Sequence, residues 1–169
     1  MSGNIAIGIQ DFSTIIQGNY FYIDKTPFIK EWWDCGDSAT LITRPRRFGK
    51  TLTMSMVEQF FSIDYAGRSD LFEHLAIWKE EKYRELQGTY PVISLSFARI
   101  KERDYEKTKQ KMCEVLRNIY IKFCYIKDSE KLTDADRAYY ERMLEENIKE
   151  TDATSSLYQL SDFLYRYYG

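Results

Sequence analysis

The chain has a single histidine, His74, and only three cysteines, Cys35, Cys113 and Cys124, with no C-x-x-C pair. The spacing predicts that Cys113 and Cys124 share one helix, roughly 16 Å apart at about 1.5 Å rise per residue, too far to bridge. A Cys/His zinc site, a Ser-His-Asp triad and a Cys-His nucleophile pair are therefore poorly supported. Proline and glycine are scarce, 3 and 8 in 169 residues, which argues against a low-complexity or linker-rich chain. No apolar run approaches the roughly 20 residues of a membrane span. The first ten residues carry no Lys or Arg and no long apolar stretch, unlike a signal peptide. Cytoplasm is the expected location.

A surplus of one charge is missing too. With 24 basic and 26 acidic residues the net charge is −2, so a general nucleic-acid coat is excluded but a local basic patch is not. What is present is apolar and aromatic material, 44% and 16% of the chain, enough for a core within one domain.

Three apolar runs read as strands: Tyr20–Ile23, Ala39–Thr43 and Val92–Phe97, the last with Pro91 at its entrance. Thr26-Pro27 reads as a helix start, with Cys35-Gly36-Asp37 as its end. A helix is expected from Lys50 to about Ser62, and Lys79 to Leu86 reads as helical. The second half is helix-rich. Met112, Leu116, Ile119 and Phe123 recur at helical spacing, predicting one long helix from Asp104 to about Ile126. Thr133 to Glu150 follows, opened by a capping-box pair, Thr133 and Asp136. Ser155 to Tyr168 is the third. The acidic stretch from Asp128 to Asp152 reads as a solvated helix face.

The informative stretch is Leu41-Ile42-Thr43-Arg44-Pro45-Arg46-Arg47-Phe48-Gly49-Lys50-Thr51. It places Gly-Lys-Thr at a helix start behind an apolar run, the context of a phosphate-binding loop. A helix start offers backbone N–H groups and the positive end of its dipole to an anion. Gly49 lets the backbone approach a phosphate. Lys50 would reach the β- and γ-phosphates of ATP, and the Thr51 hydroxyl would complete a Mg²⁺ shell. The candidate cofactor-binding residues are Arg44, Pro45, Arg46, Arg47, Phe48, Gly49, Lys50, Thr51 and Leu52, with Thr51 as metal ligand. The full pattern wants glycine where Arg44 stands, and Pro45 would stiffen that turn instead. An alternative reading is a nucleic-acid or protein interaction module, in which Arg44, Arg46, Arg47 and Lys50 touch a polyanion and the helical C-terminal part binds a partner.

Tyr22-Ile23-Asp24-Lys25-Thr26, the Arg44–Thr51 loop and Tyr90-Pro91-Val92-Ile93-Ser94-Leu95-Ser96-Phe97 together resemble the bacterial AAA-ATPase-like family. The resemblance covers essentially the whole chain, in order, and the Arg-Pro-Arg-Arg loop is itself a habit of that family. It implies an α/β fold, a P-loop NTPase of Rossmann-like type with a parallel sheet and flanking helices. It also implies a frequent C-terminal PD-(D/E)XK nuclease-like domain, and with it a nucleic-acid partner beyond this chain.

Hydrolysis would need an apolar strand ending in an acid that holds Mg²⁺ and orients water. Val92–Phe97 leads into Ala98 and Arg99. Ile119 to Ile126 leads to Asp128, but its apolar residues continue a helical stripe. In the resembling family the acidic strand follows a helix like Ser155–Tyr168. The expectation is thus one domain over residues 1–169, the N-terminal part of an AAA-like ATPase truncated before its acidic (Walker B) strand. It would bind ATP and hydrolyse it weakly or not at all, with no catalytic residue assignable. AAA relatives often form rings and an open sheet edge favours self-association, so a homo-oligomer is a further expectation.

Overall fold

In a computed structural model that describes residues 5, 7–43, 45 and 47–169, the chain divides into two compact units, 1–92 and 93–169. Each has its own apolar core.

The first unit is built on three helices. Helix α1, Phe12–Gln17, starts where Asp11 accepts the Thr14 N–H at 2.7 Å. Helix α2, Pro27–Cys35, begins with proline at its first position and ends at Gly36 in the left-handed region. Helix α3, Lys50–Phe61, is the longest of the three. Between Ser62 and Leu86 the chain makes three short 3-10 turns and the one-turn helix α4, Glu81–Arg84. Phe12, Ile29, Met56, Phe60, Leu71, Phe72 and Tyr83 fill the core between them. Aromatic edges and faces interlock there, with Phe60 edge-on to both Phe61 and Phe72, and Phe12 stacked on Phe72.

The second unit is also built on three helices. Helix α5, Tyr105–Lys122, is capped by Asp104, which accepts the Lys107 N–H at 3.0 Å. A 3-10 turn at Cys124–Ile126 follows it, so Ile119 to Ile126 is no strand and Asp128 lies in a turn. Helix α6, Asp134–Leu144, opens with the expected Thr133/Asp136 capping box but ends well before Glu150. Helix α7, Glu150–Tyr168, starts five residues earlier than Ser155. Tyr120 and Tyr140 are fully buried, and each satisfies its hydroxyl on a backbone carbonyl, those of Ser156 and Tyr120 respectively, both at 2.7 Å.

Asp136 ties α6 to α7. Its carboxylate accepts from Arg166 at 2.9 Å and from the Thr133 backbone and hydroxyl. The Arg166 guanidinium, helped by the Thr133 bonds, holds its pKa down to about 2, below the ordinary 3.8. A depressed carboxyl pKa stabilises the folded state above pH 3.8, and the effect fades as pH falls through about 2. Asp136→Asn is expected to cost about 1–2 kcal/mol at neutral pH, after allowance for solvent screening, and little at about pH 1. Urea unfolding at the two pH values checks this.

The α/β expectation is overturned. Among the described residues there is no β-strand and no sheet; one isolated parallel bridge joins Ser62 to Tyr90. Tyr20–Ile23, Ala39–Thr43 and Val92–Phe97 are assigned to no strand. The physical reason is visible in what holds them. A strand exists only if a neighbour satisfies its N–H and C=O groups. Here side chains do the anchoring: Tyr22 reaches Met56 Sδ at 3.3 Å, and Thr40 accepts from the Trp32 ring N–H at 3.0 Å. Phe21, Ile23 and Leu41, which a sheet would cover, stand exposed.

Candidate functional site

The Gly-Lys-Thr stretch opens α3, as its spacing predicts. Gly49 is the N-cap residue and takes φ +75°, a left-handed conformation that glycine adopts without strain. Its carbonyl accepts the Thr53 N–H at 2.8 Å and starts the helical ladder. No side chain caps this helix, and no acidic residue sits in its first turn. The dipole's positive end is therefore not offset locally. Arg47 also takes a left-handed φ, +70°, so the backbone alternates in hand through Arg47, Phe48 and Gly49. Such alternation turns successive N–H groups towards one concavity.

That start lies on a cavity of about 1170 Å³. Arg47, Phe48, Gly49, Lys50, Thr51 and Leu52 line one part of it. Ile5, Ile7, Gly8, Ile9 and Gln10 form another, and Phe21, Tyr22, Ile23 and Lys25 a third. Among these described lining residues there are three cations, Lys25, Arg47 and Lys50, and no Asp or Glu. Of the other expected site residues, Pro45 is exposed and its carbonyl accepts the Phe48 N–H at 3.4 Å. Arg44 and Arg46 lie outside the described residues.

The Tyr22–Thr26 segment was visible as a motif, but nothing in the sequence assigned it a role. In the structure each polar member has a partner. The Tyr22 hydroxyl accepts the Lys25 N–H at 3.2 Å, and burial pushes the Tyr22 phenol up to about 12. Asp24 accepts from the Thr26 N–H (2.8 Å), the Thr26 hydroxyl (2.7 Å) and the Ala76 N–H (2.7 Å). Thr26, fully buried, accepts the Ile77 N–H at 3.1 Å instead of capping α2. Asp24 and Thr26 are thus a clamp on the 3-10 turn at Ala76–Lys79. The remaining member, Lys25, donates to the Phe48 carbonyl in the loop at 3.4 Å.

Thr26→Val keeps the shape but removes both hydroxyl bonds and orphans a buried N–H. It is expected to lower stability by about 1.5–3 kcal/mol, read from the urea midpoint at unchanged m-value.

The cations at the loop suit an anion in charge. A Cβ built on Gly49 would fall 2.7 Å from Lys25 Nζ, so the glycine keeps open a space beside an ammonium. The described residues contain no cluster of three or more His, Cys, Asp or Glu able to hold a metal ion by themselves.

A helix start without a side-chain cap, the Gly-Lys-Thr sequence and three cations thus come together at one cavity. A model of the AAA-ATPase-like family, described as predicted AAA-ATPase, matches residues 6–164. The chain belongs to this family. It is also 33% identical over 113 residues to an uncharacterized protein from the region 5′ of vnfD in Azotobacter chroococcum mcd 1. That match covers 66% of this chain and 20% of the relative, so the chain spans about a fifth of that protein's length. No solved structure matches it. No helix among the described residues is long and apolar enough to cross a membrane.

Proposed function

We propose that the chain binds a nucleoside triphosphate, ATP in the first instance, by its phosphates at the start of α3. The observation that carries this reading is the Gly49-Lys50-Thr51 helix start, without a side-chain cap, on a cavity whose described charged lining residues are all positive. Membership of a family described as predicted AAA-ATPase supports it. Lys50 neutralises phosphate charge, and backbone N–H groups of the first turn donate to phosphate oxygens. Thr51 is the protein's hydroxyl ligand to a Mg²⁺ that arrives with the phosphates. Ile5, Ile7, Ile9, Phe21 and Ile23 supply apolar wall for the base and sugar.

Binding, rather than rapid turnover, is the activity proposed. The described lining offers no carboxylate to orient a water. Calorimetric titration at two salt concentrations tests the reading. Saturable Mg·ATP binding that needs Mg²⁺ is the expected result. Binding of single-stranded DNA that weakens steeply with salt, without ATP binding, would favour a polyanion surface instead.

A further inference from the structure

We propose that Lys25 is a second phosphate-binding cation of this cavity, brought to the loop by the Tyr22–Thr26 segment. The inference rests on the phosphate-binding reading above. The ammonium lies over the loop, at 3.4 Å from the Phe48 carbonyl and beside the space that Gly49 leaves empty. Its backbone is held although it belongs to no helix. The Tyr22 hydroxyl accepts its N–H, and its neighbours Asp24 and Thr26 are bonded to Ala76 and Ile77.

The division of labour within the segment carries the argument. Tyr22, Asp24 and Thr26 spend their polar atoms on the protein itself. Lys25 lines the cavity. Among the described residues no carboxylate pairs with it, and its one acceptor is a neutral carbonyl at long range. An ammonium has three donors. Exchanging a carbonyl for a phosphate oxygen trades a neutral acceptor for a charged one, which makes a shorter and stronger bond. The phosphate chain would then be held by Lys50 from the helix start and by Lys25 from a separate segment.

The test compares Mg·ATP affinity, by calorimetry, in the wild-type chain, Lys50→Ala, Lys25→Met and Lys25→Arg, with unfolding midpoints measured without ligand. Lys25→Met is expected to weaken Mg·ATP roughly tenfold or more, the size of one charged hydrogen bond. Lys25→Arg, which keeps the charge, should recover most of that loss. Ligand-free midpoints should stay within about 2 °C of wild type, as for a substitution outside the core. Unchanged affinity in Lys25→Met, while Lys50→Ala loses binding, would overturn this inference and leave the phosphate loop standing. A lower ligand-free midpoint with no rescue by arginine would make Lys25 a structural latch on Phe48 and overturn it as well. No binding by the wild-type chain would remove the phosphate reading itself, and this inference with it.

Discussion

Mg·ATP should raise the unfolding midpoint of the wild-type chain and leave that of Lys50→Ala unmoved. A ligand at about 100 times its dissociation constant stabilises the folded state by about 2.7 kcal/mol. For a chain of this length that corresponds to a shift of roughly 5–10 °C. Lys50 is exposed at the first position of α3 and belongs to neither core, so its loss should lower the midpoint of the free protein little. The contrast separates loss of ligand from loss of fold. Equal shifts in both proteins would remove Lys50 from the site.

Gly88→Ala should lower the stability of the first unit substantially. Gly88 is buried with φ +69°, and its N–H donates to the Phe60 carbonyl at 2.8 Å, at the C-terminal end of α3. A Cβ there would lie 2.5 Å from Ala66 Cα and 2.9 Å from Ala66 N. These are backbone atoms, which cannot swing aside as a side-chain end can. The segment would have to lift, and with it the Tyr90 N–H bonded to the Phe61 carbonyl and the Ile63 N–H bonded to the Tyr90 carbonyl. Conformational strain adds to the clash, and the expected cost is about 2–4 kcal/mol. Urea unfolding followed by tryptophan fluorescence checks it, since Trp33 stacks on Phe61 next to this junction. A cost under about 1 kcal/mol would mean that residues 86–90 adapt freely.

The elements legible from sequence were those whose signals are local. Pro27 and Gly36 bracket α2, and the Thr133/Asp136 pair opens α6, because a cap is chemistry within three or four residues. The Gly-Lys-Thr helix start was legible for the same reason. Strands were not, because a β-segment is defined by its neighbour. Leu41 and Ile42 have the composition of a buried strand, yet nothing among the described residues pairs with them. The Tyr22–Thr26 motif could be seen but not interpreted. Its bonds to Met56, Ala76 and Ile77 span 34 to 52 residues, and no spacing rule reaches that far. The cavity's positive lining depends on the same long-range folding, since Lys25 and Lys50 meet only in space.

The most direct measurement of the central claim is amide chemical-shift mapping of the ¹⁵N-labelled chain during a Mg·ATP titration. The account predicts that the largest saturable shifts fall on Phe48 to Leu52, with Lys25 moving alongside them. Saturable shifts centred elsewhere, or none on the α3 start, would contradict it.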